Sequence, residues 1–200
     1  MPALSNSFHA FTFVIFVCLS LVMQETFALI LLQGRQTCVD TSAPSFNLVA
    51  RFKNDPSFSV PVKVITVNTV PKVGYSILST CPSCTTTWTY NTLENGGFIP
   101  KSPSNPYLQT VSYSLMEGES PSFISIQFPP PPLAVYCFMD NLADLSGPAH
   151  AVLAGNGDAD RWALCPNNTA SGRVDVVWAP KMDHPHYALD DCEDVYLERV

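Results

Sequence analysis

The sequence predicts an all-β fold: a single-domain antiparallel β-sandwich stapled by disulfides, with a closed barrel or a trefoil-like fold as the alternative. Three observations predict it. Apolar and polar residues alternate over short runs, which is the two-residue period of a half-buried strand. Eighteen prolines interrupt the 200 residues and leave little room for long helices. Six cysteines lie beyond the first apolar segment, an even number that suits a covalent framework.

The chain opens on Phe8 to Met23, an apolar run closed at once by Gln24 and Glu25. Thr26-Phe27-Ala28 then offers small residues at a cleavage site. This is the pattern of a secretory signal peptide over residues 1–28, too short for a comfortable membrane span. The absence of Lys and Arg before the run keeps a signal anchor as the alternative. One secreted β domain over residues 29–200 is expected to follow, free of membrane once cleaved.

Strand signals fill that domain. Residues 46–53 and 58–64 alternate clearly, and Pro61 marks the second run as an edge strand or a bulge. Further strands are expected at 75–80, 85–91, 111–115 and 123–128. Beyond these come 133–139, 149–153, 162–165, 173–178 and 194–199. Asn95-Gly96-Gly97 supplies the positive-φ residues of a tight turn. Only Met139 to Leu145 suits a short helical turn, capped by Asp140 or Asn141. Pro129 to Pro132, after Phe128, reads as a stiff connector between sheets. No internal repeat marks the chain, which weakens the trefoil. About ten short strands with turn signals between them point to a sandwich or barrel.

The cysteines add a compartment. Cys18 leaves with the apolar run, and Cys38, Cys81, Cys84, Cys137, Cys165 and Cys192 remain. An even set in an oxidising compartment implies three disulfides. Cys165 ends one strand and Cys192 precedes another, so Cys165–Cys192 would tie the two together. Cys81–Cys84 would close across a Pro-Ser turn, which leaves Cys38–Cys137. The competing map splits Cys81 and Cys84 between Cys38 and Cys137. Asn167-Asn168-Thr169 is an N-glycosylation sequon, with Asn167 as acceptor.

Two stretches carry a resemblance. One is Arg161 to Asn168, then Gly172 to Trp178, then Cys192 to Leu197. The other is Phe46 to Ala50 with Val60-Pro61-Val62 and a closely spaced cysteine pair. Their layout resembles small secreted fungal β-rich proteins of the cell-wall-associated and IgE-binding-like kind. The resemblance covers most of the chain after residue 28. It implies a secreted β-rich protein without established catalytic residues. Cys38, Cys137 and the proline block depart from its pattern.

Charge excludes some functions. Seventeen acidic against ten basic residues give −7, and no basic run exists to hold nucleic acid or anionic lipid. At 14% charged and 46% hydrophobic, the chain is not a disordered acidic tail. Catalytic templates are absent: there is no Gly-x-Ser-x-Gly elbow, no His-Glu-x-x-His and no phosphate loop.

Several constellations have bland readings beside sharper ones. Cys81-Pro82-Ser83-Cys84 has redox-pair spacing but sits between strand-like runs, so a structural disulfide is expected. Asp183-His184-Pro185-His186 offers two imidazoles, short of a zinc set, and reads as an exposed loop. Asn156 to Arg161 opens like a calcium loop, but Arg161 takes the glycine position, and a plain turn is expected. Asp190, Asp191, Glu193 and Asp194 read as a solvated acidic segment. Trp88, Tyr90 and Trp162, with Trp178, could form a sugar-stacking face, although Trp88 and Tyr90 share the face that fills a core.

The expectation is therefore a non-catalytic secreted extracellular protein, structural or cell-wall-associated, not an enzyme. A carbohydrate-binding module using the aromatic face of Trp88, Tyr90 and Trp162 is the alternative, and a polysaccharide-directed hydrolase is a third. Cell-wall polysaccharide is the expected partner. No cofactor and no metal are expected.

Overall fold

Short alternating runs separated by prolines and glycines can bury their apolar faces only by pairing with one another, and they do so throughout. The computed structural model describes residues 38–102, 107, 109–140, 151–170 and 172–200. The expected signal peptide, the first two residues of the strand expected at 149–153 and the part of the expected helical turn beyond Asp140 lie outside the described residues. Met139 and Asp140 themselves are in a strand.

Thirteen strands occur among the described residues: β1 (Ala43–Phe46), β2 (Leu48–Phe52), β3 (Ser59–Val70), β4 (Val73–Ser79), β5 (Tyr90–Glu94), β6 (Gly97–Lys101), β7 (Gln109–Ser114), β8 (Ser122–Ile126), β9 (Tyr136–Asp140), β10 (Ala151–Gly155), β11 (Trp162–Pro166), β12 (Val174–Trp178) and β13 (Glu193–Arg199). The helical content of the described residues is a single 3-10 turn, Leu189–Asp191. No helix among the described residues is long and apolar enough to cross a membrane.

Six strands close a barrel in the order β11, β12, β4, β3, β2, β13, all antiparallel. β13 makes the closure. Its Val195–Arg199 half pairs with β2, while Glu193 and Asp194 pair with Leu164 and Ala163 of β11. A sandwich would leave these strands as edges, so closure by β13 replaces the expected sandwich with the barrel alternative. β10 and β9 extend from β13, β8 and β7 extend from β4, and β1, β5 and β6 form a separate three-stranded sheet.

Local rules explain the details. Pro61 sits inside the long strand β3, yet pairing with β4 begins only at Lys63, so β2 alone flanks it. The missing N–H therefore breaks no ladder on the second side. Asn95 and Gly96 both take positive φ, 49° and 83°, and turn β5 into β6. Residues 85–89, expected as strand, run as an irregular approach instead. There the Thr86 hydroxyl donates to the Val64 carbonyl and fixes the segment. β1 and β6 were not expected. β1 is short and β6 carries Pro100, which dilutes the strand signal.

The core is aromatic. Phe46 meets Phe98 and Phe138 edge-on at 5.6 and 5.0 Å, and Phe98 leans on Phe123 and Tyr136. Trp162 and Trp178 stand opposite each other on β11 and β12, with ring centroids 4.5 Å apart. A Cβ on Gly155 would stand 2.6 Å from Leu115 and 3.2 Å from Trp162, so the pair needs a glycine beside it. Burying such rings stabilises the fold by about 2–3 kcal/mol each.

Three disulfides staple the chain: Cys38–Cys137, Cys81–Cys84 and Cys165–Cys192. Cys81 and Cys84 therefore bridge each other and are not split between Cys38 and Cys137. Cys38–Cys137 fastens the segment before β1 to β9, and Cys165–Cys192 joins β11 to the approach of β13.

Candidate functional site

The three aromatic residues expected to hold sugar do not share a face. Trp88 is buried, and its indole N–H donates to Thr110 Oγ1 at 3.1 Å. Trp162 is fully buried, with its indole N–H on the Leu153 carbonyl at 2.7 Å. Trp178 is buried against Trp162. The stacking platform is therefore corrected: these tryptophans fill the core, and the indole N–H groups of Trp88 and Trp162 are paired there. Tyr90 alone stays half-exposed. It lines a groove of about 650 Å³ with Lys101, Gln109 and Pro129–Pro132.

A second hollow, about 360 Å³, lies over the outer side of the β11–β12 hairpin. Its construction follows from alternation. On these strands Trp162, Leu164, Val176 and Trp178 join the main core, while Ala163, Cys165 and Val177 pack on the other side with Tyr187. Asp175 shares that outer side, at the second position of the otherwise apolar run Val174–Trp178. The segment between β12 and β13 folds back over it. Cys165–Cys192 holds one end of the segment, and the Asn168 N–H donates to the His186 carbonyl at 2.8 Å. The Tyr187 hydroxyl donates to the Gly118 carbonyl at 2.9 Å and accepts from the Lys181 N–H at 3.0 Å.

Asp175 is 5% exposed. Its Oδ2 accepts from Asn167 Nδ2 at 2.7 Å and from Arg173 Nε at 3.0 Å. Its Oδ1 lies 2.9 Å from the same Nε, yet it is buried and accepts no hydrogen bond. Asn167 Oδ1 accepts from the Thr169 N–H and hydroxyl at 2.9 and 2.8 Å, and Thr169 Oγ1 is 3.3 Å from His186 Nδ1. A continuous polar chain thus runs from His186 to Arg173.

The opposite rim comes from the β7–β8 connection. Glu119 Oε1 is 3.2 Å from His184 Nε2, and the His184 ring stacks on Tyr187 at 4.2 Å. Neighbouring Glu117 binds Arg161 at 2.7 Å, and that guanidinium holds its carboxyl below the usual carboxylate range. Tyr113, Met116 and Val67 complete the hollow with exposed apolar surface.

Asp183, Pro185 and His186 are exposed, as expected of that loop. The His184 side chain is 12% exposed, because it is sandwiched between Glu119 and Tyr187. Among the described residues, no three His, Cys, Asp or Glu side chains gather as a metal site. Asn156 to Arg161 forms the expected turn, with Asp158 Oδ1 accepting from the Asp160 N–H. Asn167, the expected glycan acceptor, lies half-exposed at the edge of the hollow. Asp175, Arg173, Glu119 and Tyr187 were missed. A single carboxylate in Val-Asp-Val-Val-Trp was the available signal.

No family matches this chain, and neither a curated protein nor a solved structure matches it.

Proposed function

We propose that the chain is a secreted, non-catalytic extracellular protein, associated with a cell wall and acting by binding. The observation that carries this reading is the complete pairing of the six cysteines between Cys38 and Cys192. Three staples spread over one β fold suit an oxidising compartment. Binding is supported by the hollow over β11–β12, whose polar side chains hold one another in place and so form a preset surface.

The full chain, expressed in a eukaryotic secretory host, should appear in the medium with its N-terminus near residue 29. An N-glycosidase should lower its mass by one glycan at Asn167. It should also sediment with at least one of insoluble chitin, glucan or cellulose. Retention in the membrane fraction with Met1 intact overturns secretion. Failure to sediment with all three polymers overturns the cell-wall association.

A further inference from the structure

The geometry points to the hollow over β11–β12, and not to any tryptophan face, as a site for one unit of a neutral saccharide. This deepens the binding reading above and rests on it. The first argument is charge. The carboxylate of Asp175 and the guanidinium of Arg173 lie within 3.0 Å of each other at the wall. A cation approaching Asp175 meets Arg173, an anion approaching Arg173 meets Asp175, and the Glu119 carboxylate on the rim is already engaged by His184. A neutral donor meets no such conflict.

The second argument is the unfilled acceptor. Oδ1 of Asp175 lies 2.9 Å from the Arg173 Nε but is buried and accepts no hydrogen bond, so a ligand donor that shifts the Arg173 side chain aside would supply the bond it lacks. A ligand hydroxyl is such a donor, and the side chains of Arg173 and Asp175 already set a donor beside an acceptor. The hollow also has apolar lining: Tyr113, 54% exposed, contributes to it with Met116 and Val67. A sugar ring has one edge of hydroxyls and one face of C–H groups, and this hollow has a surface for each. A volume of about 360 Å³ falls at the small end of ligand sites.

Titration of isotope-labelled full-length protein with cellobiose, laminaribiose and N,N′-diacetylchitobiose, followed by amide NMR, tests this. At least one disaccharide should give saturable shifts at Ser114, Gly118, Arg173 and His186. Asp175→Asn should weaken that binding about tenfold or more, since it removes a charge-assisted acceptor. Tyr113→Ala, at an exposed position of β7, should weaken it about threefold to tenfold. Wild-type affinity in both variants overturns the site. Shifts gathered at Tyr90 and Lys101 also overturn it, while leaving a saccharide-binding protein. Absence of saturable shifts with all three sugars overturns the ligand class. Sedimentation with an insoluble polymer is read separately, so the binding reading can survive that failure.

Discussion

The two sides of the β11–β12 hairpin are both covered, but by different means. On the barrel side, Trp162, Leu164, Val176 and Trp178 interlock with the main core, where the Trp162 indole N–H is satisfied by the Leu153 carbonyl. On the outer side, Ala163, Cys165 and Val177 are covered by a loop that carries Tyr187, His184 and His186. The first side is closed by strands, which fix it through many backbone hydrogen bonds. The second is closed by a disulfide, a tyrosine hydroxyl and a few side-chain contacts. A strand-covered face leaves no space, whereas a loop-covered face leaves a hollow with a carboxylate in it. Chemistry that must meet a ligand sits where cover is incomplete.

The largest way to break this contrast is on the barrel side. Trp162→Ala should cost about 3–5 kcal/mol in denaturant unfolding, through lost contact and the cavity left against Trp178. If the loss is below about 1 kcal/mol, the ring does not organise that core. Next comes the outer side. Replacing both Cys165 and Cys192 by Ser opens a link between residues 27 apart and should cost about 3 kcal/mol. Limited proteolysis should then cut first between residues 179 and 192. Cutting first inside β11 or β12 would show that the hairpin does not outlast its cover.

The smallest effect concerns Tyr196, on β13. Burial, with Asp160 beside it, pushes its phenol up to about 12, against an ordinary value of 10. The folded chain therefore holds this proton where the unfolded chain releases it. Stability should be whole below about pH 10 and fall as the pH rises from there through about 12. Tyr196→Phe should flatten that alkaline decline, measured by unfolding at a series of pH values. An unchanged decline would assign it elsewhere, with the buried Tyr136, whose phenol is also raised, as the next group to replace.

Much of the fold was legible because alternation is a local signal. Residues 46–53, 162–165, 173–178 and 194–199 read as strands from their own side chains, and β2, β11, β12 and β13 stand there. Asn95-Gly96 read as a turn for the same local reason. Barrel against sandwich was not legible, because it depends on which neighbours β13 finds on its two sides, and no residue of β13 encodes that alone. The site was less legible still. Trp88 and Trp162 drew attention as large rings, yet large rings are also what a core prefers. Asp175, Arg173, Asn167, Glu119 and His184 meet only after three loops are folded, so their spacing along the chain carries no pattern.

The closure by β13 also has a temporal side. In chain order it is the latest of the thirteen strands, yet it lies between β2, near the beginning, and β11. During synthesis the five other barrel strands must therefore wait as an open sheet, with β2 and β11 as bare edges. Partial chains in that state can pair with one another. Joining the ends of such a chain is also slow, since the contacts that reward it are distant in sequence. Emergence of β13, rather than of the earlier core strands, is then the moment at which the molecule becomes safe from its own copies.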